Sequence, residues 1–400
     1  MDVPSAIAAI DAERLERILN APGESPMRVT HVTFEEIDFG AVNTTTAGVF
    51  RVRGAGVRAG RRARWSAILK VVQAPRGRSG SDPSHWNYWK REALAYGSGL
   101  LASLPKGLSA PRCLAVEEPA PRAAWVWMED LGSLASTRAG RPWSIARTRL
   151  AARHLGELNG AYLTGRAAIP TEPWIARGFL AGAVADWKRH IGSLGRADGL
   201  WSHPRVRSAL PRSAREDVLR IYRETGPLLE ALARLPQTLG HFDANRANLF
   251  SRRREGRVET AAIDWAFLGT GAVGEEIGQL VSANLIWQYT PAKDALRLLN
   301  AALSGYLEGL REAGYQGPES AVRLGCLGAA VLRTAFFVPH QIRMITTREL
   351  QGIWRARFGR PVRETVPGWA QAVTFLLSLA DEAQALAREE LRRDRPKSSA

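Results

Sequence analysis

Three side chains that can do chemistry, His241, Asp243 and Asn248, fall within the stretch HFDANRANLF, and Asp264 lies in AAIDW sixteen positions after Asn248. Taken singly, Asp and Asn in such stretches are turn formers. Between them, however, NLF and ETAAID flank the polar segment RRREGR and read as the two arms of an antiparallel hairpin. A hairpin brings its open ends together, so Asn248 and Asp264 become spatial neighbours. An amide carbonyl and a carboxylate are hard oxygen donors suited to Mg²⁺, which takes few protein ligands and completes its shell with water and phosphate oxygens. Asp243 would stand at the mouth of the same hairpin, able to orient and deprotonate a hydroxyl.

A metal held by Asn and Asp beside a lone Asp is the arrangement phosphoryl transfer requires, because charge on the moving group must be neutralised and the attacking oxygen held in line. That chemistry calls for two further parts: a lysine for nucleotide phosphates on an early strand, and an acid on a neighbouring helix to hold it. WSAILKVV supplies Lys70, and WKREALAY supplies Glu92, although another residue of that helix could take the same place. The chain has only six lysines, at 70, 90, 106, 188, 293 and 397, so one in the required strand carries weight.

The elements that must position these residues follow from patterning. Residues 5–20 have apolar positions at helical spacing. Three strand candidates come next, in RVTHVTFEEIDFG, VFRVRG and RWSAILKVV. A helix over 85–104 and two strands, RCLAVE and AAWVWMED, complete a five-stranded sheet with one helix against it. From SIARTRLAARHLGELNGAYL onward the pattern is helical apart from the hairpin, and residues 393–400 read as a flexible tail. The expectation is an α+β, bilobal chain: an N-lobe over 1–130, and a helical C-lobe over 131–392 that carries the hairpin.

In this order the motifs resemble the aminoglycoside phosphotransferase and choline kinase family, whose fold is protein-kinase-like. HFDANRAN matches its H-x-D-x4-N loop, AIDW its metal-binding Asp, AILKVV its nucleotide-lysine strand and WVWMEDLG its adenine-binding hinge. The resemblance covers residues 30–290. It implies Asp243 as catalytic base or hydroxyl-positioning residue, with His241 supporting the loop. It implies Asn248 and Asp264 as Mg²⁺ ligands, Lys70 and Glu92 at the ATP phosphates, and Met128, Glu129 and Leu131 around adenine; GTP could replace ATP. Two departures stand out. The phosphate-covering loop has Gly40 and then AVNTTTAG, so Asn43 and Thr44 take the place of further glycines. Where the family has Asp-Leu-Ala after the metal Asp, this chain has AVGEEIGQLV, which makes Glu275 and Glu276 candidate substrate contacts. His340 and Arg343 in VLRTAFFVPHQIRMI are candidates for the same pocket, along with Arg333.

Composition narrows the rest. The formal charge of +16 comes almost entirely from scattered arginine in an alanine-rich chain, without a basic stripe interleaved with aromatics, so a nucleic-acid partner is not expected. CLGAAVLRTAFFVP is short and contains Arg333, so no membrane span is expected. Two cysteines and an acid-bearing N-terminus point to the cytoplasm. Three readings remain: a small-molecule hydroxyl kinase acting on an antibiotic or metabolite, a Ser/Thr kinase acting on a pathway peptide, and a catalytically dead binding module. Only WAFLGTGAV separates Asp264 from the next helix, too short for a regulated peptide-docking segment. Over residues 281–360 arginines outnumber acids, which disfavours a polycationic acceptor. The oligomeric state stays open.

Overall fold

The computed structural model describes residues 2–20, 25–37, 45–75, 80–105, 107–132, 143–190, 192–254 and 256–393, with the side chain of residue 254 excluded. Helices α1 (Val3–Ala8) and α2 (Ala12–Leu19) precede strands β1 (Met27–Glu36), β2 (Thr46–Arg58) and β3 (Arg61–Gln73). Helix α3 (Arg91–Gly97) and a two-residue strand β4 (Leu108–Ser109) lead to β5 (Cys113–Ala120) and β6 (Ala123–Glu129). The remainder runs through α4 (Ile145–Leu163), α5 (Phe179–His190), α6 (Gly192–Arg196), α7 (Asp198–Ser202), α8 (Pro204–Ala209) and α9 (Ser213–Arg234). Four short strands, β7 (Gln237–Gly240), β8 (Leu249–Arg254), β9 (Arg257–Ala262) and β10 (Gly269–Ala272), then give way to α10 (Glu275–Ile286), α11 (Ala295–Glu312) and α12 (Glu319–Thr346). Helices α13 (Gln351–Phe358), α14 (Val362–Ser378) and α15 (Ala380–Arg393) close the chain.

The five long strands form one antiparallel sheet in the order β1-β2-β3-β6-β5. Strand β6 is buried on both faces, which explains its unbroken apolar run. Trp125 and Trp127 face a small core shared with Ile7, Leu15 and Ile18 of the N-terminal helices. Ala124, Val126 and Met128 face the other way, into the core that continues through the helical lobe.

Two helices are shorter than their patterns predict. The N-terminal one breaks in two because the Asp11 carboxylate accepts the Arg14 N–H at 2.8 Å and caps α2 as a separate element. The segment before α3 turns instead of coiling because the fully buried Arg91 guanidinium takes the carbonyls of His85 (2.5 Å) and Trp86 (2.6 Å). It also reaches Trp174 at 2.7 Å and Ala266 at 3.1 Å, tying α3 to the helical lobe. Gly99, at φ 78°, then ends the helical path.

The hairpin forms as its pattern predicts, with Leu249 opposite Ala262, and the Ile263 N–H donates to the Asn248 carbonyl at 2.9 Å. Strand β4 pairs parallel to β9, and β7 pairs with β10; neither pairing is evident in the apolar pattern. Helix α12 is long and apolar enough by composition to cross a membrane, but 89% of its most apolar stretch is buried inside the protein, as a core helix requires.

Candidate active site

The lysine expected on a strand and the acid expected on a helix meet. Strand β3 carries Lys70 opposite Val49 and Val126, and its ammonium lies 2.5 Å from Glu92 of α3 and 2.8 Å from Asp264 beyond β9. Lys70 and Glu92 are buried, and Asp264 is half-buried. Burial alone would discharge the ammonium, yet the Asp264 and Glu92 carboxylates outweigh it and hold Lys70 above the usual lysine range. Burial likewise opposes ionisation of Asp264, but Lys70 prevails and holds that carboxyl below its usual value. For Glu92 burial dominates and pushes the carboxyl upward against the pull of Lys70. The other Glu92 oxygen accepts the Trp265 N–H at 3.3 Å, so the helix acid grips the backbone next to Asp264 as well as the lysine. Asp264 sits at φ 64°, ψ 64°, a conformation uncommon outside glycine.

The loop ahead of the hairpin is held from inside. His241 is buried; its Nε2 pairs with the Ile263 carbonyl at 2.8 Å and its Nδ1 accepts the Asp243 N–H at 3.1 Å. The ring stands edge-on to Trp265 at 4.7 Å. Burial lowers its pKa, which suits a neutral ring that donates at one nitrogen and accepts at the other. Both ring nitrogens are thereby spent on backbone groups of the loop and of Ile263.

Both carboxylate oxygens of Asp243 are engaged. Oδ2 accepts from Asn248 Nδ2 at 2.8 Å, and Oδ1 accepts from Gln279 Nε2 at 2.8 Å. Behind Gln279, Arg333 of α12 donates to its Oε1 at 2.9 Å and to the Phe242 carbonyl at 2.9 Å. Burial first, and the Asp264 charge second, push Asp243 up to about 6, while Arg333 and the Gln279 hydrogen bond pull it down. Gln279 and Arg91 are site-building residues that the motifs alone do not reveal. Their roles depend on partners 36 and 83 positions away.

The donor set fits a divalent metal. Asn248 spends its amide nitrogen on Asp243, which leaves its carbonyl oxygen for a cation, and Asp264 has one oxygen beyond the one facing Lys70. Among the described residues no group of three His, Cys, Asp or Glu side chains could hold a metal alone. Water and phosphate oxygens would have to complete such a shell.

Glu275 and Glu276, expected in the substrate pocket, are instead buried and turned onto protein groups. Glu276 Oε1 accepts the N–H groups of His241 (2.9 Å) and Phe242 (3.1 Å), and Oε2 accepts Asn159 Nδ2 at 3.0 Å. Glu275 turns back to accept the Ala272 N–H at 3.0 Å, and burial pushes its carboxyl up to about 7. Gly274, at φ 88°, starts α10 where any Cβ would overlap the Val322 carbonyl oxygen. Of the three α12 candidates, Arg333 reaches the loop. His340 is half-buried beside Arg343, and Arg343 is exposed; among the described residues neither hydrogen-bonds to the loop. Asn43 and Thr44 lie outside the described residues.

At the end of the sheet, Met128 is buried under Tyr96, whose hydroxyl lies 3.7 Å from its sulfur. The Glu129 N–H donates to the Arg112 carbonyl at 2.9 Å. Salt bridges pin this segment from both sides: Arg51 of β2 to Asp130 (3.1 Å) and Arg252 of β8 to Glu129 (3.3 Å). Leu131 follows, half-buried.

A sequence model of the phosphotransferase enzyme family matches residues 95–316, more than half of the chain. The chain belongs to the phosphotransferase enzyme family. A comparison with curated proteins finds no match. Among solved structures, similarity extends to an amicoumacin kinase with AMP-PNP and Ca²⁺ (15% identity, 90% of this chain and 97% of that one, TM-score 0.46). It extends also to a microcompartment-associated aminopropanol kinase (15%, 92% and 94%, TM-score 0.46). A spectinomycin phosphotransferase with ADP and spectinomycin is similar too (10%, 93% and 99%, TM-score 0.45). The family match spans residues 128–131, the 241–248 loop, the hairpin and α10, and begins after Lys70 and Glu92.

Proposed function

We propose that this phosphotransferase moves the γ-phosphoryl group of ATP, with Mg²⁺, to a hydroxyl of a small molecule. The observation that carries the reading is the bridging of Lys70 between Glu92 and Asp264, directly beside the Asp243–Asn248 pair. Lys70 would hold the nucleotide phosphates, and the Glu129 carbonyl with the Leu131 N–H would receive adenine; GTP would meet the same backbone groups. Asn248 and Asp264 would hold Mg²⁺, which when bound neutralises charge on the phosphates.

Asp243 supplies the acceptor side. With a pKa near 6 it is largely ionised at neutral pH and accepts a hydrogen bond from the incoming hydroxyl. Asn248 and Gln279 fix its two oxygens, so the hydroxyl meets a preset direction. Asn248 couples the two halves of the site, because the amide that would bind the metal through oxygen holds the base through nitrogen.

A peptide acceptor is less well supported. Between Asp264 and α10 lie only a single turn at Trp265–Phe267 and β10, which is paired to β7 and anchored by Glu275, so this segment offers no extended docking surface. A dead module would be expected to lack one of Lys70, Asp243, Asn248 or Asp264. We place the lobes at 1–130 and 131–392. We place the protein in the cytoplasm, where ATP is abundant and the free cysteines Cys113 and Cys326 stay reduced.

The test is incubation with Mg²⁺ and ATP against a panel of alcohols, antibiotics and peptides, read as mass gain of one phosphate. Wild type should modify a small molecule and Asp243→Asn should not. A panel in which peptides alone gain phosphate would overturn the small-molecule reading.

A further inference from the structure

Two arginines that share one aromatic ring, one of them three residues after Asp243, have no role in the machinery described so far. Arg246 lies within the catalytic loop, three residues after Asp243. Its backbone N–H is tied to Asn284 of α10 at 3.0 Å, and the residue is 4% exposed. Arg357 comes from α13, far along the chain. The two guanidiniums converge on one aromatic ring: Arg246 lies 5.5 Å and Arg357 5.8 Å from the centre of Tyr289, and Arg357 also covers Trp287 at 4.5 Å.

Neither is neutralised. Among the described residues neither forms a salt bridge to a carboxylate, and the buried Nε of each has no hydrogen-bond partner. Burying a guanidinium N–H without an acceptor is costly, and structural arginines normally find one, as Arg91 finds backbone carbonyls. Tyr289 and Trp287 are only partly buried, so the pair borders open space. Gln288 between them holds φ 55°, an uncommon backbone for a side-chain-bearing residue, and this turn places both rings beside the arginines.

We propose that Arg246 and Arg357 form an anion subsite for the acceptor, so that the molecule phosphorylated carries a carboxylate or phosphate group beside its hydroxyl. Planar guanidiniums offer paired donors that match the oxygens of either group, and stacking on Trp287 and Tyr289 holds them in place before binding. The same charges repel an amine-rich acceptor. The inference rests on the phosphotransfer reading for the word acceptor; the anion site itself does not.

The test separates the two. Inorganic sulfate is titrated by calorimetry into the full chain saturated with Mg²⁺ and AMP-PNP, so that the nucleotide site is filled. Wild type should bind sulfate, Arg357→Gln and Arg246→Gln should each weaken it about tenfold or more, and Arg357→Lys should recover part of it. Arg357 is half-buried on a surface helix, so its variants keep the test decisive if Arg246→Gln does not fold. In parallel, hydroxy acids are compared with their carboxamide and amine analogues as acceptors in wild type. Transfer favouring the acid supports the subsite. Sulfate binding that is absent in wild type, or equal in wild type and both Gln variants, overturns it, as does preference for the amine. Transfer to amine analogues would leave phosphotransfer standing. Sulfate binding with no transfer to any alcohol would leave the anion subsite standing and remove the reaction.

Discussion

Glu276 offers the sharpest check on how the catalytic loop is held. Its carboxylate receives the amides of His241 and Phe242 on one oxygen and Asn159 on the other. Phe242 needs this restraint because it sits at φ 55° immediately before Asp243. Glu276→Gln preserves size but must turn an NH₂ toward one set of donors. Asn159 cannot rotate to accommodate it: its nitrogen also donates to the Leu239 carbonyl at 2.9 Å, and its oxygen accepts the Tyr306 hydroxyl at 2.6 Å. Losing one charge-assisted bond and creating a donor–donor contact in a buried site costs about 2–4 kcal/mol. In a lobe of this size that corresponds to a fall in Tm of roughly 5–10 °C. The released loop should move Asp243 by a fraction of an ångström to about 1 Å, enough to lower kcat by about 100-fold. KM for ATP should change little, since among the described residues neither Lys70 nor the 128–131 segment hydrogen-bonds to Glu276. Differential scanning fluorimetry and steady-state kinetics read both numbers. Wild-type melting and kcat in Glu276→Gln would refute the reasoning. Unchanged melting with a raised KM for the acceptor would return Glu276 to the substrate pocket.

Asp243→Ala and Asp264→Ala should each reduce transfer by about 10³-fold or more in an ADP-release assay with acceptor present, and transfer by Asp264→Ala at ordinary Mg²⁺ would remove it from the metal site. Lys70→Met strands the buried Glu92 carboxylate and removes the cation from half-buried Asp264, so the free chain should lose about 3 kcal/mol of stability on denaturant titration, and a wild-type curve would contradict the bridging geometry. Chelation of divalent ions should abolish transfer and lower the thermal protection given by AMP-PNP, with both restored by Mg²⁺. His154 is buried against Thr260 at 2.8 Å, and burial first, then Arg147 and Arg153, lower its pKa from 6.5 to about 4. The unfolded chain takes up this proton more readily, so the stability is present above pH 6.5 and falls by up to about 3 kcal/mol as pH drops toward 4. His154→Gln should flatten that part of the stability curve.

The sequence by itself determined the parts whose causes are local. Strand-forming apolar patterns, alternating in β2 and unbroken in β6, built the sheet, the polar turn after NLF built the hairpin, and the hairpin brought Asn248 toward Asp264. Lys70 and Glu92 were legible because the chemistry demanded a cation on a strand and an acid on a helix, and few residues were eligible. What only the tertiary structure decided were roles assigned by partners distant in the chain. Glu275 and Glu276 look like exposed acids opening a helix, yet packing of α10 beneath the loop turned them inward to backbone amides. Arg91 shortened its own helix because a buried guanidinium must find oxygens, and the nearest were the carbonyls of His85 and Trp86. Gln279 and Arg333 acquired Asp243 and Phe242 as partners only when α10 and α12 packed together. Periodicity reports which face of an element is apolar; it does not report which polar atoms will be shut away from water together, and those atoms build this site.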